Sequence, residues 1–180
     1  YRATGVEESL TLALELYRLV EKYAYDPVDK GYFEAFAQDW RPLNDMRLSA
    51  KDLNAPKTMN THLHLLEAYT NLLRVWPDQK LQIKVAELIK IMAEKIVDSK
   101  TSHFNLFFDE QWNSLVNTVS YGHDIEGSWL IYEAAEVLGD APLLTRMKKL
   151  AVDMAERVYH EGIDPDYGGL FNEKTDDKIS

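Results

Sequence analysis

A histidine and a carboxylate lie three positions apart in the segment 121–129, at His123 and Glu126. Apolar residues follow at helical spacing, so the segment predicts the beginning of a helix. Residues at i and i+3 share one helix face, and this helix would therefore point an imidazole and a carboxylate at the same place. Because the N-terminus of a helix disfavours an imidazolium, His123 is expected to stay neutral and to accept a proton.

A second polar stripe lies on an upstream segment that is otherwise apolar. The stripe consists of Asn60, His64, Glu67 and Asn71. These spacings of four, three and four place the side chains on one helix face. Burying them unpaired would cost roughly 1–3 kcal/mol for each unsatisfied group, so they must face partners, water or a ligand. A core hydrogen-bond network would explain one buried histidine, but two stripes at two helix starts favour a site.

The composition excludes several classes of function. The formal net charge is -10 and no basic cluster occurs, so a nucleic-acid partner is not expected. No apolar run approaches the roughly 18–20 residues of a membrane helix. The chain has no cysteine, which excludes disulfides and cysteine-ligated metals and fits a reducing compartment such as the cytoplasm. Neither a glycine-rich phosphate loop nor a Gly-x-Ser-x-Gly elbow is present.

A metal site is not expected either. His62 and His64 are two positions apart and point to different helix faces, so they cannot clamp one ion. His123 could join Asp124 or Glu126 in binding a metal, but their spacing matches no established metal motif. We therefore expect neither a metal nor a cofactor.

Five helices follow from the spacing of apolar residues. They are predicted at 7–24, from 59 to before Pro77, at 79–98, from about 123 to Gly139, and from Pro142 onward. The second and fourth are apolar around most of their circumference, which is typical of helices buried on nearly all sides. The third and fifth have one charged face. This alternation predicts inner and outer helices arranged in concentric layers.

An internal repeat connects these helices. Residues 92–97 match residues 154–159 at a distance of 62 positions. An aromatic hairpin-like motif follows the first, third and fifth helices, at 26–34, 103–109 and 164–172. A fixed period in this range is typical of stacked helical hairpins. The predicted fold is therefore all-α, and five helices would form about half of an α/α toroid.

Two motifs resemble the N-acylglucosamine 2-epimerase superfamily. The first is 57–69, with its Asn-Thr-His-Leu-His-Leu-Leu-Glu-Ala-Tyr core, and the second is 121–129. The run Ser-Tyr-Gly-His-Asp-Ile-Glu at 120–126 is most similar to the cellobiose 2-epimerase branch. The resemblance implies an (α/α)6 barrel of twelve helices, of which residues 1–180 would form a single segment, the middle portion of the catalytic domain.

The resemblance also implies roles for individual residues. His123 matches one of two histidines that exchange a proton at carbon 2 of a reducing-end sugar. Glu126 matches an acidic residue that holds sugar hydroxyls or tunes that histidine. Asn60 and His64 match residues that contact the open-chain carbonyl end. Two further matched positions near the site are Trp129 and Asp52.

Three elements of the family pattern have no counterpart in these 180 residues. They are the second catalytic histidine on a late helix, the tryptophans that stack on the second sugar, and an arginine from an early helix. Without these elements, the 180-residue segment is not expected to be active by itself, whereas a longer protein that contains them is expected to be active.

The sequence thus predicts a sugar 2-epimerase that acts on a mono- or disaccharide through an enediolate and needs no cofactor. An aldose–ketose isomerase acting on mannose or glucose would use the same intermediate and remains an alternative. A hydrolase or lyase on a similar toroid would need a distant carboxylate partner. A non-catalytic helical-repeat binding module is the last alternative, but it would have little use for the two polar stripes.

Overall fold

In the computed structural model, the described residues are 1–50, 52–176 and 178–179. Five α-helices run through this described part of the chain. They are α1 Glu7–Tyr23, α2 Met59–Leu73, α3 Gln79–Ile91, α4 Tyr121–Leu138 and α5 Ala141–Glu161. A π-helical turn, Met92–Ile96, continues α3. The five predicted helices are therefore confirmed, with α4 beginning two residues earlier than expected.

Short strands precede the two inner helices. These are β1 Lys57–Thr58 before α2 and β3 Thr118–Ser120 before α4, and their sheets are completed by β2 Phe107–Phe108, β4 Glu173–Thr175 and β5 Lys178–Ile179. Strand β1 pairs with β2, and the order of the second sheet is β3-β4-β5, antiparallel throughout. Because β1 leads directly into α2 and β3 into α4, the pairing anchors the start of each helix. These strands are too short to show a periodic pattern in the sequence.

The helix ends follow from local chemistry. The carboxylates of Asp78 and Asp140 cap α3 and α5 by accepting hydrogen bonds from backbone N–H groups of the first turn. Gly139 ends α4 with a φ of 77°, the left-handed conformation that glycine adopts without strain. The prediction that the third helix reaches Asp98 is wrong. Asp98 instead accepts N–H bonds from Lys100 and Thr101, so it belongs to the following turn.

Three hairpins of the same construction follow α1, the π-helical turn and α5. Their antiparallel bridges are Tyr25–Tyr32, Val97–Phe104 and Ile163–Leu170. In each hairpin an aspartate one position after the first bridged residue accepts two backbone N–H bonds and thereby fixes the turn. These aspartates are Asp26, Asp98 and Asp164. The predicted repeat of aromatic hairpins is therefore confirmed.

Helices α2 and α4 lie side by side as inner helices and run parallel. Their first turns line one cavity, and toward their C-terminal ends Arg74, the residue directly after α2, pairs with Glu133 of α4 at 2.6 Å. Helix α3 packs on both inner helices, and α5 packs on α4. The core lies between these layers and includes Leu63, Leu66, Leu81, Leu88 and Ile131. The inner helices therefore present their beginnings together at one end of the bundle.

The packing of α4 on the second hairpin gives a stability test at Gly127. A Cβ at this position would stand 2.2 Å from Cζ of Phe104, whereas a Cβ at Gly122 would meet nothing within 4 Å. We expect Gly127→Ala to lower the free energy of unfolding by roughly 1–3 kcal/mol through overpacking. The matched variant Gly122→Ala should leave it unchanged or raise it, because alanine favours helix. Urea denaturation measures both, and equal stability of the two variants would contradict the close contact.

Candidate functional site

A cavity of about 270 Å³ opens where α2 and α4 begin. Its apolar lining includes the side chains of Met59, Leu106 and Phe107. Its polar lining consists of Glu34, Arg47, Asp52, Thr58, Asn60, Ser120, His123 and Glu173. A lining that combines apolar side chains with converging polar groups is typical of a small-molecule site.

The structure brings together three of the residues that the sequence predicts for a site. His123, Asn60 and Asp52 all line the cavity. They come from three separate segments: the first turn of α4, the first turn of α2, and the loop that precedes β1. The carboxylate of Asp52 is itself held in this loop, where it accepts a hydrogen bond of 2.8 Å from the N–H of Ser49.

The other three predicted residues lie outside the cavity lining. His64 is exposed, and its Nδ1 lies 3.2 Å from a carboxylate oxygen of Glu67. Glu126 is half-buried, and Trp129 is 54% exposed. His64 follows Asn60 by one helical turn, and Glu126 follows His123 by nearly one turn. Because such residues share a helix face, these side chains extend the polar surface beyond the cavity.

His123 is oriented by the residue that precedes α4. The Oγ of Ser120 and the Nδ1 of His123 lie 2.8 Å apart and share a hydrogen bond. Ser120 is fixed in turn, because it is the last residue of β3 and pairs with Glu173 of β4. No side chain of the described residues bonds the other ring nitrogen, Nε2. The imidazole therefore has one nitrogen committed to the protein and one available to a ligand.

The neighbouring Asp124 has a structural role instead. Its buried carboxylate accepts a hydrogen bond of 2.8 Å from the N–H of Phe104, and its second oxygen lies 2.7 Å from Nδ1 of His103. The Nε2 of His103 lies 3.2 Å from Glu161. These contacts give His103 a structural role. Because Asp124 points into the core, it cannot act as a pair with Glu126.

His62 binds the first hairpin as Asp124 binds the second, because each side chain accepts a hydrogen bond from a backbone N–H of its hairpin. Its Nδ1 lies 2.7 Å from the carbonyl oxygen of Thr58, and its Nε2 accepts a hydrogen bond of 2.9 Å from the N–H of Tyr32. These partners fix the neutral form with the proton on Nδ1. Burial lowers the pKa of His62 to about 4, which keeps the ring neutral at physiological pH. His62 is thus a fixed core residue.

A buried lysine supports the wall of the cavity. The Nζ of Lys57 is fully buried and donates hydrogen bonds of 2.7 Å to Asp26, 2.8 Å to the carbonyl of Lys30 and 2.7 Å to the carbonyl of Glu110. Burial raises the pKa of Asp26, but hydrogen bonds from Lys57 and from the N–H of Val28 lower it more, so the net pKa lies below its usual value. The ion pair ties β1 to the first hairpin.

Sequence reasoning missed five polar residues of the cavity, namely Glu34, Arg47, Thr58, Ser120 and Glu173. Glu34 stands in the first aromatic motif and Ser120 in the second family motif, but neither had an assigned role. Their places in the cavity depend on contacts between distant parts of the chain. Glu34, for example, accepts a hydrogen bond from the hydroxyl of Thr58, 24 positions away. A spacing rule for helices or strands cannot detect such a contact.

The described part of the chain shows neither a cluster of metal-binding side chains nor a membrane-spanning helix. Among residues 1–50, 52–176 and 178–179, no three His, Cys, Asp or Glu side chains are grouped so that they could hold a metal ion. Within the same ranges, no helix combines the length and apolar character needed to cross a bilayer.

The environment of His103 predicts a pH-dependent stability. Burial lowers the pKa of His103, but hydrogen bonds and charge from Asp124 and Glu161 raise it more, so the net pKa lies above its usual value. A raised pKa in the folded state stabilises the fold below the unfolded value of about 6.5. That contribution is lost as the pH rises through the folded-state pKa.

We therefore expect the stability difference between the wild type and His103→Gln to be largest near about pH 6 and to shrink toward about pH 8. Urea denaturation across this range measures it. His160→Gln is the matched control for the loss of a histidine, because His160 is exposed at the end of α5. A His103 difference that grows with pH would contradict the assignment.

Comparison with known proteins gives consistent matches. The family model for N-acylglucosamine 2-epimerase (GlcNAc 2-epimerase) matches residues 1–179. A cellobiose 2-epimerase of Bacteroides fragilis is 49% identical over 174 residues, which are 97% of this chain and 44% of that protein. A cellobiose 2-epimerase of Dictyoglomus turgidum is 41% identical over 97% of this chain and 44% of its own length.

The structural comparison agrees with the sequence comparison. The solved structure of cellobiose 2-epimerase from Bacillus thermoamylovorans matches with a TM-score of 0.91 and 39% identity, over 100% of this chain and 46% of that chain. The chain thus spans slightly less than half the length of the relatives it matches, and its helices form about half of an α/α toroid. It belongs to the N-acylglucosamine 2-epimerase family.

Proposed function

We propose that this chain is a segment of a carbohydrate 2-epimerase that inverts carbon 2 of a reducing-end sugar. The main supporting observation is the cavity at the starts of α2 and α4, which both His123 and Asn60 line. His123 is held there by its hydrogen bond with Ser120. The relatives that match nearly all of this chain are named cellobiose 2-epimerases. This name supports a reducing disaccharide, or a monosaccharide of similar shape, as the substrate.

The proposed reaction begins on the open-chain form of the sugar. Nε2 of His123 takes the proton from carbon 2, and the electron pair of that C–H bond forms the double bond between carbons 1 and 2. The carbonyl oxygen at carbon 1 gains the charge, which gives an enediolate. Return of a proton to the opposite face of carbon 2 restores the carbonyl and inverts the centre. The resemblance assigns this second proton transfer to a histidine beyond these 180 residues.

This role sets a requirement on the tautomer of His123. Nε2 can accept a proton only if its lone pair is free, so Nδ1 must carry the hydrogen. The hydrogen bond at 2.8 Å supports this form when Nδ1–H donates to Oγ of Ser120. Ser120 would therefore act as a positioning residue that holds both the ring plane and the tautomer.

The remaining predicted residues have proposed roles along the same two helix faces. The amide of Asn60 is within the cavity and can bond the carbonyl end of the sugar, and His64, one turn further, can donate to the developing oxyanion. Glu126 and Trp129 follow His123 on α4, where a carboxylate can hold sugar hydroxyls and an indole can support a sugar ring. Asp52 lines the cavity from the loop before β1.

We also propose a domain organisation and a cellular location for this chain. Residues 1–180 form one continuous segment of a single catalytic domain, because α2, α3 and α4 share one hydrophobic core. A cytoplasmic location is proposed because the chain contains no cysteine, which fits a reducing compartment.

The first test of this function replaces His123 in the complete protein. His123→Ala should abolish deuterium incorporation at carbon 2 when the protein is incubated with cellobiose in D2O, because the base is gone. His160→Ala is the control and should exchange at the wild-type rate, since His160 is exposed outside the cavity. Proton NMR of the carbon 2 signal measures both. Exchange at wild-type rate in the His123 variant would remove this residue from the mechanism.

The second test identifies the product. We expect cellobiose to yield the disaccharide with mannose at its reducing end, because the proton returns to the carbon from which it left. Carbon NMR of the reaction mixture distinguishes this epimer from a ketose. A ketose as the main product would indicate proton return to carbon 1, as in an aldose–ketose isomerase, and release of free glucose would indicate a hydrolase.

A further inference from the structure

Glu34 stands out among the cavity residues because both its backbone and its side chain are held in place. Its N–H donates a hydrogen bond of 2.9 Å to the carbonyl of Pro56, and its Oε2 accepts a hydrogen bond from the hydroxyl of Thr58. Thr58 is itself fixed, because its Oγ1 accepts a bond of 3.1 Å from the N–H of Thr61 and caps α2. The carboxylate is therefore preorganised at the cavity wall.

The carboxylate of Glu34 keeps hydrogen-bonding capacity for a ligand. An ionised carboxylate offers about four lone-pair sites, and the hydroxyl of Thr58 occupies one of them. No cation is recorded beside Glu34 in the described part of the chain. Arg47, which also lines the cavity, instead makes a two-pronged contact with Asp45, at 2.6 and 2.8 Å. Among residues 1–50, 52–176 and 178–179, the contacts of the Glu34 carboxylate are therefore with hydroxyl groups and not with a cation.

Burial and the charge of Asp52 also favour an additional hydrogen-bond donor at the carboxylate of Glu34. Burial raises the pKa of Glu34 most, and the nearby charge of Asp52 raises it as well, whereas the hydrogen bonds from Thr58 and Thr61 lower it. The net pKa lies above its usual value, so the ionised form is short of stabilising contacts. A hydroxyl donor entering the cavity would supply such a contact. A sugar presents several hydroxyl groups of this kind.

We propose that Glu34 is a specificity-determining residue, whose carboxylate accepts a hydrogen bond from a ring hydroxyl of the sugar while carbon 2 lies at His123. This inference rests on the proposed function for the identity of the ligand as a sugar. Glu34 and His123 reach the cavity from different segments, the first hairpin and α4, with the start of α2 contributing Thr58 and Asn60 to the same lining. A sugar held by both groups would be fixed in position and in orientation.

The experiment compares Glu34→Gln, which keeps the shape but removes the charge, with the control Glu15→Gln, an exposed carboxylate on α1. Binding of cellobiitol, the reduced disaccharide that has no carbonyl and cannot react, is measured by calorimetry on the complete protein. A hydrogen bond to a charged group corresponds to a loss of roughly 10- to 100-fold in affinity. We expect this loss in the Glu34 variant and a change of less than about twofold in the control.

A second measurement locates the hydroxyl. A series of monodeoxy disaccharides is tested as substrates by carbon 2 deuterium exchange. One deoxy position should reduce kcat/KM of the wild type by about tenfold, mainly through KM, and should have little further effect in Glu34→Gln. Thermal unfolding checks that the variant is folded. If it is not, Glu34→Asp takes its place, because the shorter side chain withdraws the carboxylate and should cause the same loss.

The outcomes separate the two proposals. If the wild type exchanges deuterium but Glu34→Gln binds cellobiitol as tightly as the wild type, the role of Glu34 is wrong and the epimerase function stands. If the wild type binds cellobiitol and the variant does not, but no aldose exchanges at carbon 2, the function is wrong and Glu34 remains a sugar ligand. Absence of any sugar binding by the wild type would overturn both.

Discussion

The architecture depends on one repeated contact between an aromatic hairpin and the helix that follows it. A buried side chain at the fourth position of each inner helix, His62 in α2 and Asp124 in α4, accepts a hydrogen bond from a hairpin N–H, at Tyr32 and at Phe104. A buried N–H without a partner would cost roughly 1–3 kcal/mol. This constraint fixes where each inner helix begins, and the cavity lies where both begin.

The first turn of α4 contains both a residue of the proposed site, His123, and a residue of the core, Asp124. Successive residues of a helix point about 100° apart, so His123 can face the cavity while Asp124 faces the core. The core-facing carboxylate is held by His103 and by the N–H of Phe104, and the cavity-facing imidazole is held by Ser120. The position of the imidazole is therefore set by two independent sets of contacts, as the proposed proton transfer at His123 requires.

The sequence predicted much of the fold and only part of the site, for physical reasons. Helix positions, the outer and inner layers and the hairpin repeat follow from periodicity, because burial imposes a pattern on every turn. His123, Asn60 and Asp52 were predicted as site residues, and the structure places them in one cavity lining. Glu34 and Lys57 lie in motifs seen in the sequence, but no role could be assigned to them, because their roles depend on partners 24 and 31 positions away and no periodic pattern indicates such contacts.

The contrast between His62 and His123 shows why residue type alone cannot assign a role. Both are histidines in the first turns of inner helices, but both nitrogens of His62 are bonded by backbone groups, whereas His123 has only Nδ1 bonded among the described residues. Burial lowers the pKa of His62 to about 4, and both ring nitrogens already have partners, so the ring has a structural role. The proposed proton transfer needs one ring nitrogen without a protein partner, and of these two histidines it is His123 that meets this condition among the described residues.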